Sequence, residues 1–319
     1  RAGDGARPIE DISTRMARRL GKSDWNAVGA AWWKRLEKNG EAKQIDWIHG
    51  AFASHPAEIA MGAAQVADVP WSFAGHARDI WVEGGDLQSK LRAARFAVCC
   101  TQSGAAHLQS IAPACAGKIF HVPHGLILPD YPFGNWSRSR EILAVGRLVP
   151  KKGFEFLLRA FAIIQCEYSD ARLTIIGDGP QRKELMNMAR GLKIEVVWRG
   201  ALPHDEVKNA MRAAGCLVLP AVQTPDGDRD GIPNVLIEAA ACGLPIISSR
   251  AGAIGELLDD NCARLCEPRN VEQLIGALRD VWRAPEQTEL LRAAARRTVE
   301  THFDLGRNAQ RLVQLFRSL

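Results

Sequence analysis

Between residues 141 and 266, short apolar runs alternate with stretches of helical periodicity, and this alternation restricts the fold more than any other feature. Strands are predicted at 142–146, 173–177, 195–198, 216–219, 245–248 and 263–266. Helices are predicted at 154–162, 181–189, 205–214, 233–241 and 251–258. The strand runs show no polar alternation, as expected when both faces are buried. Strand–helix alternation implies a parallel sheet covered by helices. Three more helices, at about 270–282, 285–300 and 304–318, close the chain. The first part repeats the pattern less cleanly, with strands at 46–49, 71–74, 96–101 and 119–122 and helices at 56–66, 86–94 and 103–112. Residues 130–137 read as a linker. The expected architecture is α/β, two Rossmann-like domains facing across a cleft, at 1–138 and 139–319. Ligands in such sheets sit outside the carboxyl ends of the strands.

The richest loop is Asp226-Gly-Asp-Arg-Asp-Gly-Ile-Pro-Asn-Val-Leu-Ile-Glu238, which runs straight into a helix. Pro233 suits the first helical position, where its missing N–H costs nothing. The helix start, with Gly231, Ile232, Pro233 and Asn234, then offers free backbone N–H groups to a phosphate. Asp230 precedes the helix and Glu238 lies inside it, about 7–8 Å further along the axis. Two carboxylates thus bracket a phosphate seat, the layout a sugar nucleotide needs. Taken alone, the segment also fits a solvated turn. It copies the first half of a calcium loop, but that pattern wants Glu at position 237, where Ile stands.

Gly146-Arg-Leu-Val-Pro-Lys-Lys-Gly153 leaves the first strand of the second domain. Arg147 and Lys152 place two positive charges at the sheet's carboxyl edge, where a leaving diphosphate would gain negative charge. A solvated basic turn is the plain alternative, and the P-loop pattern is absent. Gly177 opens a tight turn, Gly-Asp-Gly-Pro, after the next strand. In the first domain His76 stands just past a strand end. His49 and His124 hold similar places, and each could equally be structural.

A net charge of +5 over 319 residues is too mild to imply nucleic acid. No apolar run reaches 18 residues, and no signal-peptide pattern is present. The eight cysteines, at 99, 100, 115, 166, 216, 242, 262 and 266, form no C-x-x-C pair. They read as buried free thiols in a reducing compartment, not as a zinc site or disulfide framework.

Together these residues resemble the retaining family-4 glycosyltransferases of the GT-B fold, in particular the bacterial exopolysaccharide group of the colanic-acid type. The matches are 146–153, Ile176-Gly-Asp-Gly-Pro180, the acidic segment at 226–243, Phe52-Ala-Ser-His-Pro-Ala57 and residues 73–80, in family order from about residue 45 onward. The resemblance implies hexosyl transfer with retention from a UDP- or GDP-sugar donor to a glycan or lipid-linked acceptor. It implies no cofactor, no metal and a cytoplasmic location, at the inner face of the plasma membrane if the acceptor is lipid-linked. Arg147 and Lys152 would grip the donor diphosphate, with Gly177 beside them. Asp230 would bind hydroxyls of the transferred sugar, Glu238 would hold the ribose, and His76 would orient the sugar.

Two departures stand out. The family usually carries Glu where this chain has Asp230, whose carboxylate falls short by about 1 Å, and such a misplacement can cost about 100-fold. The family's opening strand and glycine loop are not found near Arg1, where the chain begins in a helical stretch, so the first domain is expected to lack its first strand. A weakened or non-catalytic sugar-nucleotide binder is therefore one rival, and a GT-B sugar-nucleotide epimerase another. A nicotinamide oxidoreductase is disfavoured, since no G-x-G-x-x-G follows a predicted strand. Residues 1–45 carry ten Lys/Arg and six Asp/Glu, with Trp25, Trp32 and Trp33 among Lys34, Arg35 and Lys38. This mixture suits peripheral contact with an anionic membrane, and equally a helix whose Trp residues face the core.

Overall fold

The computed structural model describes residues 24–318, so the expected helical start within 1–23 lies outside the described residues. The chain forms two compact units. One runs up to Val122 and takes in the residues from Leu315 onward, and the other is Pro123–Gln314. The expected boundary at 138/139 thus differs from the observed division. The physical reason lies in segment 123–138, which is bound to the second unit. Trp136 Nε1 donates to the Gly215 carbonyl at 2.7 Å, and Gly134 N–H donates to the Cys242 carbonyl at 3.1 Å. The stretch read as a linker is a strap on that unit.

In the first unit the order is α1 (Trp25–Lys38), β1 (Ile48–Gly50), α2 (His55–Ala67), β2 (Trp71–Gly75), α3 (Ala77–Trp81), α4 (Leu87–Ala93), β3 (Phe96–Cys99), α5 (Gln102–Ile111) and β4 (Ile119–His121). Among the described residues its sheet has four parallel strands in the order β1-β2-β3-β4. The Asp24 carboxylate starts α1 by accepting from the Asn26 and Ala27 N–H groups. Trp33 is buried, and its indole N–H reaches Glu37 at 3.0 Å. Trp32 packs against the same core, and Trp25 meets the His55 ring at 4.5 Å. These tryptophans face protein. Phe73, Phe96, Leu91 and Leu108 fill the centre.

The second unit contains β5 (Glu141–Val145), α6 (Phe154–Glu167), β6 (Arg172–Ile176), α7 (Arg182–Gly191), β7 (Val196–Gly200), α8 (His204–Ala213), β8 (Cys216–Leu219), α9 (Asn234–Cys242), β9 (Ile246–Ser249), β10 (Arg264–Cys266), α10 (Val271–Arg283) and α11 (Pro285–His302). A last helix, α12 (Leu305–Ser318), closes the chain. All six strands are parallel, in the order β10-β9-β8-β5-β6-β7. The winding direction reverses between β5 and β8, which makes their carboxyl ends the switch point of a doubly wound sheet. Every residue of β8 is fully buried, which explains its unbroken apolar run. The helix expected at 251–258 is only a short turn at Ile254–Glu256, because Gly252 at φ +58° cannot continue a right-handed helix.

All eight cysteines are free, and six are buried, but Cys166 is exposed, against the expectation from its apolar neighbours. Among the described residues no helix is long and apolar enough to cross a membrane.

Candidate functional site

The switch point brings the basic and acidic loops together. The basic loop leaves β5, the acidic loop leaves β8, and Val222 N–H donates to the Lys151 carbonyl at 2.8 Å to join them. On the other side the basic loop rests on the turn after β6. Leu148 N–H donates to the Asp178 carbonyl at 2.9 Å, and Gln181 N–H to the Leu148 carbonyl at 3.0 Å. Gly177 is required in that turn. Its φ is +134°, and an added Cβ would lie 2.0 Å from the Gly146 carbonyl oxygen.

The acidic segment is not a solvated turn. Lys152 Nζ lies 2.6 Å from Asp230 Oδ2, and Lys151 Nζ lies 2.9 Å from Asp228 Oδ1. Lys151 Nζ is also 3.6 Å from Asp230 Oδ1. The four side chains are only 10–13% exposed, so the charges interact through a medium much less screening than bulk water. Two of the calcium-loop aspartates, Asp228 and Asp230, thus turn toward ammonium groups, while the exposed Asp226 accepts from the Thr224 hydroxyl. From the third side Gly252 presses on the backbone of Asp230; an added Cβ would lie 2.1 Å from its carbonyl oxygen.

Gly231 and Ile232 lead into α9. Pro233 occupies the N-cap, with ψ 124°, and Asn234 is the first helical residue, so the expected start shifts by one position. No side chain caps this terminus; Leu236 N–H already donates to the Pro233 carbonyl at 2.9 Å, which leaves the Asn234 and Val235 N–H groups to an anion. Asn234 is exposed, with Oδ1 3.4 Å from His124 Nδ1. His124, read from sequence as part of the first domain, therefore sits in the second unit beside the helix start. Arg147 is exposed at the same carboxyl edge.

Glu238 lies half-buried one turn into α9. Burial pushes its carboxyl pKa up, and the positive fields of His204 and Lys208 oppose the rise. His204 opens α8 and is hydrogen-bonded to the hydroxyl of Tyr131, a buried strap residue. Burial raises the Tyr131 phenol to about 12, and the Glu238 carboxylate adds to the shift. The sequence reading missed Lys151, Asp228, Tyr131 and His204. The Lys-Lys doublet and the Asp-x-Asp spacing carried a signal for the first two. The contact between Tyr131 and His204 joins residues 73 apart and left no local trace.

His76 belongs to the first unit, where it caps α3. Its N–H donates to Asp79 Oδ1 at 2.8 Å, and Phe52 lies 4.8 Å from its ring. The other oxygen of Asp79 accepts from Ala53 N–H. Asp79 is buried, and that burial raises its pKa against the lowering effect of the backbone donors. His49 is taken up differently, bonded to Ser72 Oγ at 2.7 Å and packed edge-on against Phe316.

Comparison with known proteins shows what this chain is similar to. Residues 139–284 match the family described as "Glycosyl transferases group 1". A glycogen synthase of Mycobacterium tuberculosis (strain H37Rv) is 28% identical over 305 residues, covering 88% of this chain and 71% of that protein. The amylovoran biosynthesis glycosyltransferase AmsK of Erwinia amylovora is 33% identical over 166 residues, 51% of this chain and 41% of AmsK. Among solved structures, HepE of Anabaena in complex with UDP-glucose superposes with a TM-score of 0.76 at 19% identity, over 92% of this chain and 82% of that one. That likeness establishes the GT-B fold.

Proposed function

We propose, from the premise that residues 139–284 belong to the glycosyltransferase group 1 family and that the chain is a GT-B glycosyltransferase related to exopolysaccharide enzymes, that it moves a hexosyl group with retention from a UDP- or GDP-sugar. The acceptor in this reading is a glycan or a lipid-linked glycan in cell-surface polysaccharide synthesis. The observation that carries it is the meeting of Lys152 and Asp230 at the switch point, beside the uncapped start of α9. The donor diphosphate lies between Arg147, Lys152 and the first N–H groups of α9, with Gly177, Gly231, Ile232 and Pro233 allowing close backbone approach. As the glycosidic bond breaks, negative charge grows on the diphosphate, and these fixed donors stabilise it more than they stabilise the ground state. Asp230 takes sugar hydroxyls, Glu238 the ribose, and His76 orients the transferred sugar. A nucleotide sugar bound to HepE supports this choice of donor. The reading needs no divalent metal, since Arg147, Lys152 and α9 supply the positive charge; chelation with EDTA is expected to leave transfer unchanged.

The test is thermal stabilisation by UDP, GDP, ADP and NAD, followed by transfer assays with the matching sugar nucleotide. Selective stabilisation of about 2.7 kcal/mol at a hundred times the dissociation constant is expected for UDP or GDP. A response to NAD alone, or to none of the four, sinks the reading. The weakened-binder alternative is favoured by one observation, the short Asp230 held by Lys152. A steep rise in turnover in Asp230→Glu would select it. Conversion of donor alone into a new sugar nucleotide would select an epimerase. The eight free cysteines suit a reducing, cytoplasmic setting. With the Trp residues packed inward, contact with an anionic membrane would rest on Lys34, Arg35 and Lys38, and failure to sediment with anionic vesicles removes it.

A further inference from the structure

The donor site contains one lysine that binds its own protein too thoroughly to be a ligand group. Lys151 Nζ reaches Asp228 Oδ1 at 2.9 Å, the Arg229 carbonyl at 3.3 Å and Asp230 Oδ1 at 3.6 Å. An ammonium has three protons, and three oxygens surround this one. Its backbone carbonyl holds Val222 N–H, and the Asp228 carbonyl accepts from the N–H and hydroxyl of Thr224 at 2.9 and 3.0 Å. The loop from 222 to 230 is thus folded around Lys151. Lys152 differs: Asp230 is its side-chain partner, at 2.6 Å, and two of its protons stay available.

This asymmetry makes the two lysines respond differently to a donor. A diphosphate is a stronger partner for Lys152 than one carboxylate, because it brings more charge and more acceptor oxygens. When Lys152 turns to it, Asp230 loses its closest counter-ion and would relax toward water. Lys151, fixed by Asp228, remains beside Asp230 and keeps it in the site. We propose that Lys151 and Asp228 are the positioning pair of the donor site, and that donor binding exchanges the Lys152–Asp230 ion pair for a Lys152–diphosphate pair. Asp230, still held by Lys151, is then free to accept the hydroxyls of the transferred sugar. This inference rests on the glycosyltransferase reading and names a role for residues that reading left out.

The test compares a nucleoside diphosphate with its sugar conjugate. Isothermal titration of the wild-type chain with UDP and UDP-glucose, and with GDP and GDP-mannose, shows which pair binds. In Lys151→Met, affinity for the diphosphate should stay within about twofold, while the conjugate loses about tenfold, the loss expected for one hydrogen bond to a charged group. In Asp230→Asn, diphosphate affinity should rise, because Lys152 has lost its competing partner. Should Lys151→Met melt early, Lys151→Met with Asp228→Leu replaces both charges by apolar groups and should show the same selective loss. Equal loss of diphosphate and conjugate in the Lys151 variants, or an unchanged ratio, overturns the inference alone. Failure of the wild type to bind any of the four ligands overturns the glycosyltransferase reading and the inference with it.

Discussion

Two lysines, the buried Lys90 of the first unit and the half-buried Lys152 of the second, show how the same group can be used up by a fold or left open to an anion. Lys90 in the first unit is 2% exposed, paired with Glu58 at 2.9 Å, and donates to the Ala53 and Gly84 carbonyls at 2.8 Å each. Its three protons are used, and it ties the loop after β1 to the loop before α4. Lys152 in the second unit is nearly as covered, yet it has one ion-pair partner and stands at the switch point. A saturated ammonium has nothing left for a substrate, whereas an unsaturated one in a dry site is poised for an anion. The sheets differ in the same sense. In the first unit the described strands add in one direction, and the buried Asp79 gathers backbone N–H groups around His76. In the second the winding reverses, and charged side chains meet across the reversal.

The sharpest break of this contrast is Lys90→Ala. Removing one partner of a buried pair costs about 3–5 kcal/mol, so the first unit should melt far below wild type in a thermal scan. A change of under about 1 kcal/mol would mean that Lys90 is dispensable to the fold. Next is Lys152→Ala, which should lower kcat/KM for sugar transfer about 100-fold, the scale of losing one charge-stabilising donor, while the melting temperature falls less than in Lys90→Ala, because Lys151 still lies 3.6 Å from Asp230. A loss of stability without loss of rate would make the two lysines alike. Gly177→Ala comes third. Forcing a Cβ against the Gly146 carbonyl at φ +134° should cost about 1–3 kcal/mol and weaken diphosphate binding by moving Arg147, both readable by melts with and without UDP. The smallest effect concerns Glu238. Its folded pKa is raised by burial, so the folded state holds a proton that the unfolded chain releases near the ordinary value of 4.5. The stability this proton gives is fully present below 4.5 and is lost as pH rises through the folded pKa. Melts across that range should therefore fall less in Glu238→Gln than in wild type.

Much of the second unit was legible because its elements are locally coded. The run Cys216–Leu219 coincides with β8, and the other strands there fall within about two residues of expectation, the ordinary uncertainty of element ends. The short helix α3 was not predicted and the position of Pro233 was off by one, since one turn of helix has little periodicity and a proline φ serves both the N-cap and the first turn. The candidate site residues were nominated through motif chemistry, but the side chains they meet were not foreseen. Lys151 was passed over beside Lys152 because nothing local distinguishes two adjacent lysines. Only the fold shows that one is surrounded by three oxygens and the other by one.

The sequence by itself determined the parallel α/β architecture, the carboxyl-edge loops and the chemistry offered there, because apolar periodicity, glycine turns and charged residue types are properties of short stretches. Tertiary structure alone decided where the chain divides, which acid each lysine meets, and that Tyr131 reaches His204. Those outcomes depend on contacts between residues tens of positions apart, whose energies arise only after the sheet order has brought β5 beside β8 and excluded water between their loops.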